Sequence, residues 1–193
     1  MLGFFLITIN ISSNFLTLRN KNIHLLPNFK KDTILPNEAL NLLKENKITR
    51  EETLRSVTFT VHNAITHYGP ESIEERKKYN ILLPFTENYI LFALSFLNEK
   101  FTIWEFYDYK KAIYRGVGVC SQYAIVVDQV LGEKGIPSKL ISLGGHVVTT
   151  AELSKNNWWI LDADFGLVIP LDIKQIEEDP KIVIDYYIRN GQT

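Results

Sequence analysis

The spacing of apolar residues changes sharply at Gly135-Ile-Pro137, and the two sides of that change demand different secondary structure. Before it, Cys120, Tyr123, Ala124, Val127, Val130 and Leu131 recur at intervals of three and four, the buried stripe of an amphipathic helix. Gly135 suits the left-handed position that ends a helix, and Pro137 cannot continue one. After it, residues 138–143, 146–153 and 158–164 read as strands, separated by Gly144-Gly145 and by Ser154-Lys-Asn-Asn157. A further short strand is expected at 167–170. A helix laid on an antiparallel sheet is an α+β arrangement.

The only cysteine, Cys120, stands where a glycine-rich turn hands over to that helix. Unpaired N–H groups at a helix start, with the positive end of the macrodipole, favour thiolate over thiol. The competing reading is a small buried hydrophobe, a common fate for a free cysteine. Gly116 and Gly118 are expected to let the backbone approach whatever faces the sulfur. A single cysteine forms no internal disulfide, so a reducing compartment fits, in the cytoplasm or at a membrane.

At 193 residues and 46% hydrophobic content the chain can bury a sizeable core. A net charge of −1 argues against broad nucleic-acid binding, and the basic run at 76–78 is offset by Glu74 and Glu75. The organisation expected is an apolar segment and linker at 1–36, then a single domain at 37–193. That domain comprises a helical subregion at 37–115 and a core at 104–170. Residues 1–18 carry no charged side chain, but Asn10, Ser12, Ser13 and Asn14 interrupt the apolar run. This segment reads either as a membrane anchor or as an element packed on the domain. The linker at 19–36 contains His24, with no chemistry around it.

Helices are expected at 37–46 and from the capping box Thr49-Arg-Glu-Glu52 through Tyr68 to Gly69-Pro70. His62 and His67 would then lie on one helix roughly 140° apart, the wrong geometry for a metal pair. A third helix is expected at 86–97, turning Tyr89, Ile90, Ala93, Phe96 and Leu97 inward. The aromatics Phe101, Trp104, Phe106, Tyr107 and Tyr109 are expected to pack on the cysteine helix, and residues 108–114 to form a short helical turn. Of Trp158 and Trp159, strand alternation sends one ring to the core and the other over a groove. The tail, 171–193, is read as a helix at 173–178 and a final aromatic segment.

A cysteine opening a helix, a histidine opening a strand and an aspartate ending the adjacent strand are the parts of nucleophilic cysteine catalysis. Pairing the strands across 154–157 puts His146 opposite a residue between 162 and 165, so Asp162 or Asp164 reaches its ring, depending on a small bulge. The segments Gly116-Val-Gly-Val-Cys120-Ser-Gln-Tyr-Ala, Gly135-Ile-Pro137, Gly144-Gly-His146-Val-Val and Trp158-Trp-Ile-Leu-Asp162 together resemble the transglutaminase-like superfamily, across residues 104–170. The resemblance implies a papain-like core, with Cys120 as nucleophile, His146 as base and acid, and Asp162 as orienting carboxylate. It implies acyl transfer at a protein or peptide amide through a thioester, resolved by water or an amine. The first seventy or so residues match no family pattern and read as an N-terminal helical extension to that core. Neither a cofactor nor a metal is implied, and no calcium-loop spacing occurs. The backbone N–H of Cys120 would supply one oxyanion donor, with Trp104 and Tyr114 as candidates for the second. The competing reading is a binding or structural module that keeps the fold without turnover.

Overall fold

The computed structural model describes residues 23–26, 29, 33–69, 73–78, 82, 85, 87–102 and 105–189. Residues 1–18, Pro70 and Trp104 lie outside them. Among the described residues no helix is long and apolar enough to cross a membrane.

The fold is mixed α+β. Its helices are α1 (Pro36–Lys44), α2 (Arg50–Ala64), α3 (Ile73–Lys78), α4 (Tyr89–Ser95), α5 (Tyr109–Arg115), α6 (Cys120–Glu133), α7 (Ile173–Glu178) and α8 (Lys181–Arg189). Strands β3 (Ser138–Ser142), β4 (Val147–Ser154), β5 (Asn157–Asp162) and β6 (Leu167–Ile169) form an antiparallel sheet in chain order. Two short strands, β1 (Thr66–His67) and β2 (Val117–Gly118), pair in parallel apart from it.

Strand alternation gives each face of the sheet its own cover. Ala151 and Leu161 join Leu54, Val57 and Val61 of α2 and Val126, Val127 and Leu131 of α6 in the main core. Val148, Ile160 and Ile169 face the other way, where Ile176 of α7 and Val183 and Tyr187 of α8 pack on them. The cysteine helix is tied to the sheet at two levels. Thr149 donates to the Ala124 carbonyl at 2.9 Å, and Ser138, opposite Ala151, donates to the Asp128 carboxylate at 2.6 Å. Advancing from 124 to 128 along the helix therefore matches advancing from 149 to 151 along β4. The start of α6 consequently points to the rim of the sheet where β4 begins.

Several expectations need correction. The helix beginning at Thr49 has the expected capping box, but it ends at Ala64. The Thr66 and Tyr68 amides instead donate to the carbonyls of Gly116 (2.9 Å) and Gly118 (3.0 Å), so pairing with the cysteine loop replaces the last helical turn. His67 is therefore a strand residue. Helix α2 is no appendage, since its apolar face is part of the core that α6 fills. Within the expected linker, Ile23 and Leu26 are buried against Val117.

The residues expected to face inward around α4 do not: Tyr89, Ile90, Phe96 and Leu97 are exposed, while the half-buried Phe92 meets Phe85 and Phe96 edge to face. Of the aromatic cluster, Phe106 and Tyr109 are buried, whereas Phe101 and Tyr107 are exposed. The tandem tryptophans are both half-buried. Arg55 lies over Trp159, which touches the main core, and Lys139 lies over Trp158.

Candidate active site

The glycines before Cys120 are spent on the backbone, not on clearance for a ligand. Gly116, at φ 69°, is the left-handed cap that ends α5. At Gly118 a Cβ would come within 2.6 Å of Gln122 Cβ. That approach lets the buried Gln122 bridge three segments. Its Oε1 accepts from the Phe106 amide (2.7 Å) and from Arg115 (2.9 Å), and its Nε2 donates to the Phe106 carbonyl (2.8 Å). Arg115 is itself buried over the Phe106 ring; burial pulls its guanidinium down to about 10, with Glu105 opposing the shift. Cys120 is thus the first residue of a helix whose approach is rigidly braced.

The amides of Gln122 and Tyr123 both donate to the Val119 carbonyl, which leaves those of Cys120 and Ser121 ahead of the first intrahelical bond. These are the donors an oxyanion could meet. Of the side-chain candidates, Trp104 lies outside the described residues. Tyr114 instead donates to Asn37 of α1 at 2.7 Å, so it serves the packing of α5 on α1.

His146 follows the Gly144-Gly145 turn, closed by a 2.7 Å bond from the Leu143 amide to its carbonyl. Its Nε2 is 2.8 Å from Asp162 Oδ2. The pairing of Thr149 with Leu161, extended, would set His146 opposite Asp164. Asp162 wins because β5 ends there and the chain turns, carrying the Asp164 carboxylate to His67 instead. Asp162 is 1% exposed and has further donors, the Tyr187 hydroxyl at 2.7 Å and the Phe165 amide at 3.3 Å. Its place on the Ile160 side of β5 explains why the donor comes from α8. Phe165 closes the group, its ring 5.3 Å from His146 and 5.6 Å from Tyr187.

A carboxylate only accepts, so Nε2 carries the hydrogen in this pair and the neutral ring keeps its lone pair on Nδ1. The bond to Asp162 raises His146 above its ordinary value, against burial, which lowers it. Burial and then Asp162 push the Tyr187 hydroxyl far up, so it stays a donor. The raised histidine has a signed consequence for stability. Its contribution is complete below the ordinary value of 6.5 and is lost as pH rises through the higher folded value. Melting the wild type against His146→Asn from about pH 5 to about pH 9 should show a wild-type advantage that shrinks with pH. An advantage that grows would contradict this pairing.

Of the expected triad, then, His146 and Asp162 are bonded. The Cys120 sulfur shares no hydrogen bond with His146, although α6 begins at the same rim of the sheet. Sequence reasoning missed Tyr187, Phe165 and His67. A buried carboxylate needs several donors, which is the signal that pointed beyond His146. Among the described residues no group of three or more His, Cys, Asp or Glu is arranged to hold a metal ion. No protein-family model, no curated protein and no solved structure matches this chain.

Proposed function

We propose that the chain is a cysteine-dependent acyl-transfer enzyme with a papain-like, transglutaminase-like core, acting on a protein or peptide amide. The observation that carries this reading is the buried Asp162 carboxylate on His146 Nε2, which leaves Nδ1 basic at the rim where Cys120 opens α6. In the reaction, Cys120 Sγ bonds to the amide carbon and the thiol proton passes to His146 Nδ1. The C–N bond then breaks, the amine takes that proton, and a thioester remains on Cys120. Water or a second amine adds to the thioester and gives its proton to Nδ1. The C–S bond breaks, and the sulfur leaves with the electron pair and recovers the proton. The helix-opening amides of Cys120 and Ser121 offer hydrogen bonds to the oxyanion of both tetrahedral species.

The test is covalent. Mixed with an activated acyl ester, the wild type should acquire one acyl group on Cys120, read by intact mass and peptide mapping. His146→Ala should acylate at least a hundredfold more slowly, consistent with a general base supplying about 10²–10⁴-fold. Equal labelling of wild type and His146→Ala would refute the assignment. The absent Cys120–His146 hydrogen bond favours the second reading, a binding or structural module without turnover. No Cys120 adduct at any ester concentration would decide for it.

A further inference from the structure

The antiparallel sheet ends on β3, and the register fixes which of its backbone groups face outward. At one end the Glu152 amide donates to the Pro137 carbonyl at 2.9 Å, and at the other the Leu143 amide donates to the His146 carbonyl at 2.7 Å. In an antiparallel ladder such bonded pairs recur at every second residue. Pro137, Lys139, Ile141 and Leu143 therefore aim their backbone groups at β4. Leu140 and Ser142 each aim an amide and a carbonyl away from the sheet. Among the described residues no backbone bond reaches these outward groups. The opposite edge, β6, offers only three residues.

The side chains leave that edge open. A lysine on an edge strand ordinarily deters another strand from pairing. Lys139 instead reaches across β4 to lie over Trp158 of β5, 4.9 Å from its ring centre. Leu140, opposite Thr149 on the α6 side, is 45% exposed and gives an added strand an apolar neighbour. The strip also ends at the candidate site. Leu143, the residue after β3, is the one bonded to His146, so a strand laid along the edge runs to the rim where that histidine stands.

Only another extended backbone presents amides and carbonyls at the spacing these groups require. Pairing with β3 of a second copy would join five residues a side, far below the about 20–30 residues a side of a stable interface. A peptide held in passing needs no such area. We propose that the free edge of β3 is the docking strip for the polypeptide substrate, which adds to the sheet as an extended strand through the amides and carbonyls of Leu140 and Ser142. The strip rests on the acyl-transfer reading for its use, but the strand pairing does not.

Two measurements test it, with a capped peptide of alternating threonine and valine as probe. By amide hydrogen exchange on the wild type, the peptide should slow Leu140 and Ser142 about tenfold at high occupancy and leave Lys139 and Ile141, already bonded to β4, unchanged. No slowing at Leu140 and Ser142 overturns the strip. Protection of both amides before peptide is added, with a doubled mass in solution, overturns it in favour of a second copy. The other measurement uses Leu140→Pro, which removes an outward amide without breaking a bond to β4. Its rate of Cys120 acylation by the activated ester of the peptide, divided by the rate with a small acetyl ester, should fall about fivefold, the scale of one hydrogen bond. Leu140→Ala keeps the amide and should lose less; an equal loss would move the contact to the side chain and overturn strand pairing. Slowed exchange in a protein that never acylates leaves the strip standing and removes the acyl-transfer reading. Acylation without slowed exchange does the reverse.

Discussion

Replacing Asp162 with asparagine is expected to lower acyl transfer by about three to four orders of magnitude while leaving the fold intact. The amide is nearly isosteric, and with its oxygen at the Oδ1 position it can still accept from the Phe165 amide. Its NH₂ group, however, would then face His146 Nε2, which must accept instead of donate. That moves the ring hydrogen to Nδ1, the nitrogen that has to take the Cys120 proton. The charge that raises His146 is lost as well. Single-turnover acylation with an activated ester measures the effect, and circular dichroism checks the fold. A loss under tenfold in a folded variant would sink the role given to Asp162. Tyr187→Phe, which removes one donor and leaves the carboxylate, should fall well short of the same loss.

The second large effect is on stability. Gln122→Leu is close in volume but strips the acceptor from the Phe106 amide and from Arg115, and the donor from the Phe106 carbonyl. Each buried polar group left without its partner costs about 1–3 kcal/mol, and a disturbed buried charge costs more. The expected loss is on the order of 4 kcal/mol. For a chain of this length that lowers the melting temperature by about 8–16 °C. Urea unfolding gives the free energy, and a loss under about 1 kcal/mol would show that the bridge is ornamental. Since Gln122 joins residue 106, the loop at 115–118 and the first turn of α6, alkylation of Cys120 in the variant would also report how far the cysteine depends on that brace.

The cysteine helix and the strands after it were legible because each rests on a local rule. The stripe from Tyr123 to Leu131 has helical spacing, Gly135 does adopt a left-handed φ of 67°, and the turn at 154–157 places Asn156 at φ 61°. The same held for helix 173–178, where Asp172 caps the start. Errors arose wherever a long-range bond outweighed a local signal. Ile65 and Tyr68 have helical spacing, yet the Thr66 and Tyr68 amides go to Gly116 and Gly118, which no local pattern announces. The apolar stripe of α4 was read as core when its rings meet each other. In the candidate site, the choice between Asp162 and Asp164 turned on where β5 stops. The bond from Tyr187 to Asp162 and the pairing of His67 with Asp164 span 25 and 97 residues.

The bond from Tyr187 to Asp162 also has a bearing on biogenesis. The cysteine helix and strands β4 and β5 leave the ribosome before the segment that completes the aspartate's shell. Until α8 emerges and docks, Asp162 has lost one of its donors, and the apolar side of the sheet formed by Val148, Ile160 and Ile169 lacks its cover. Assembly of the full set of donors on Asp162 thereby waits for residue 187, so a chain interrupted before it would carry Cys120 and His146 with an aspartate anchor that is not complete.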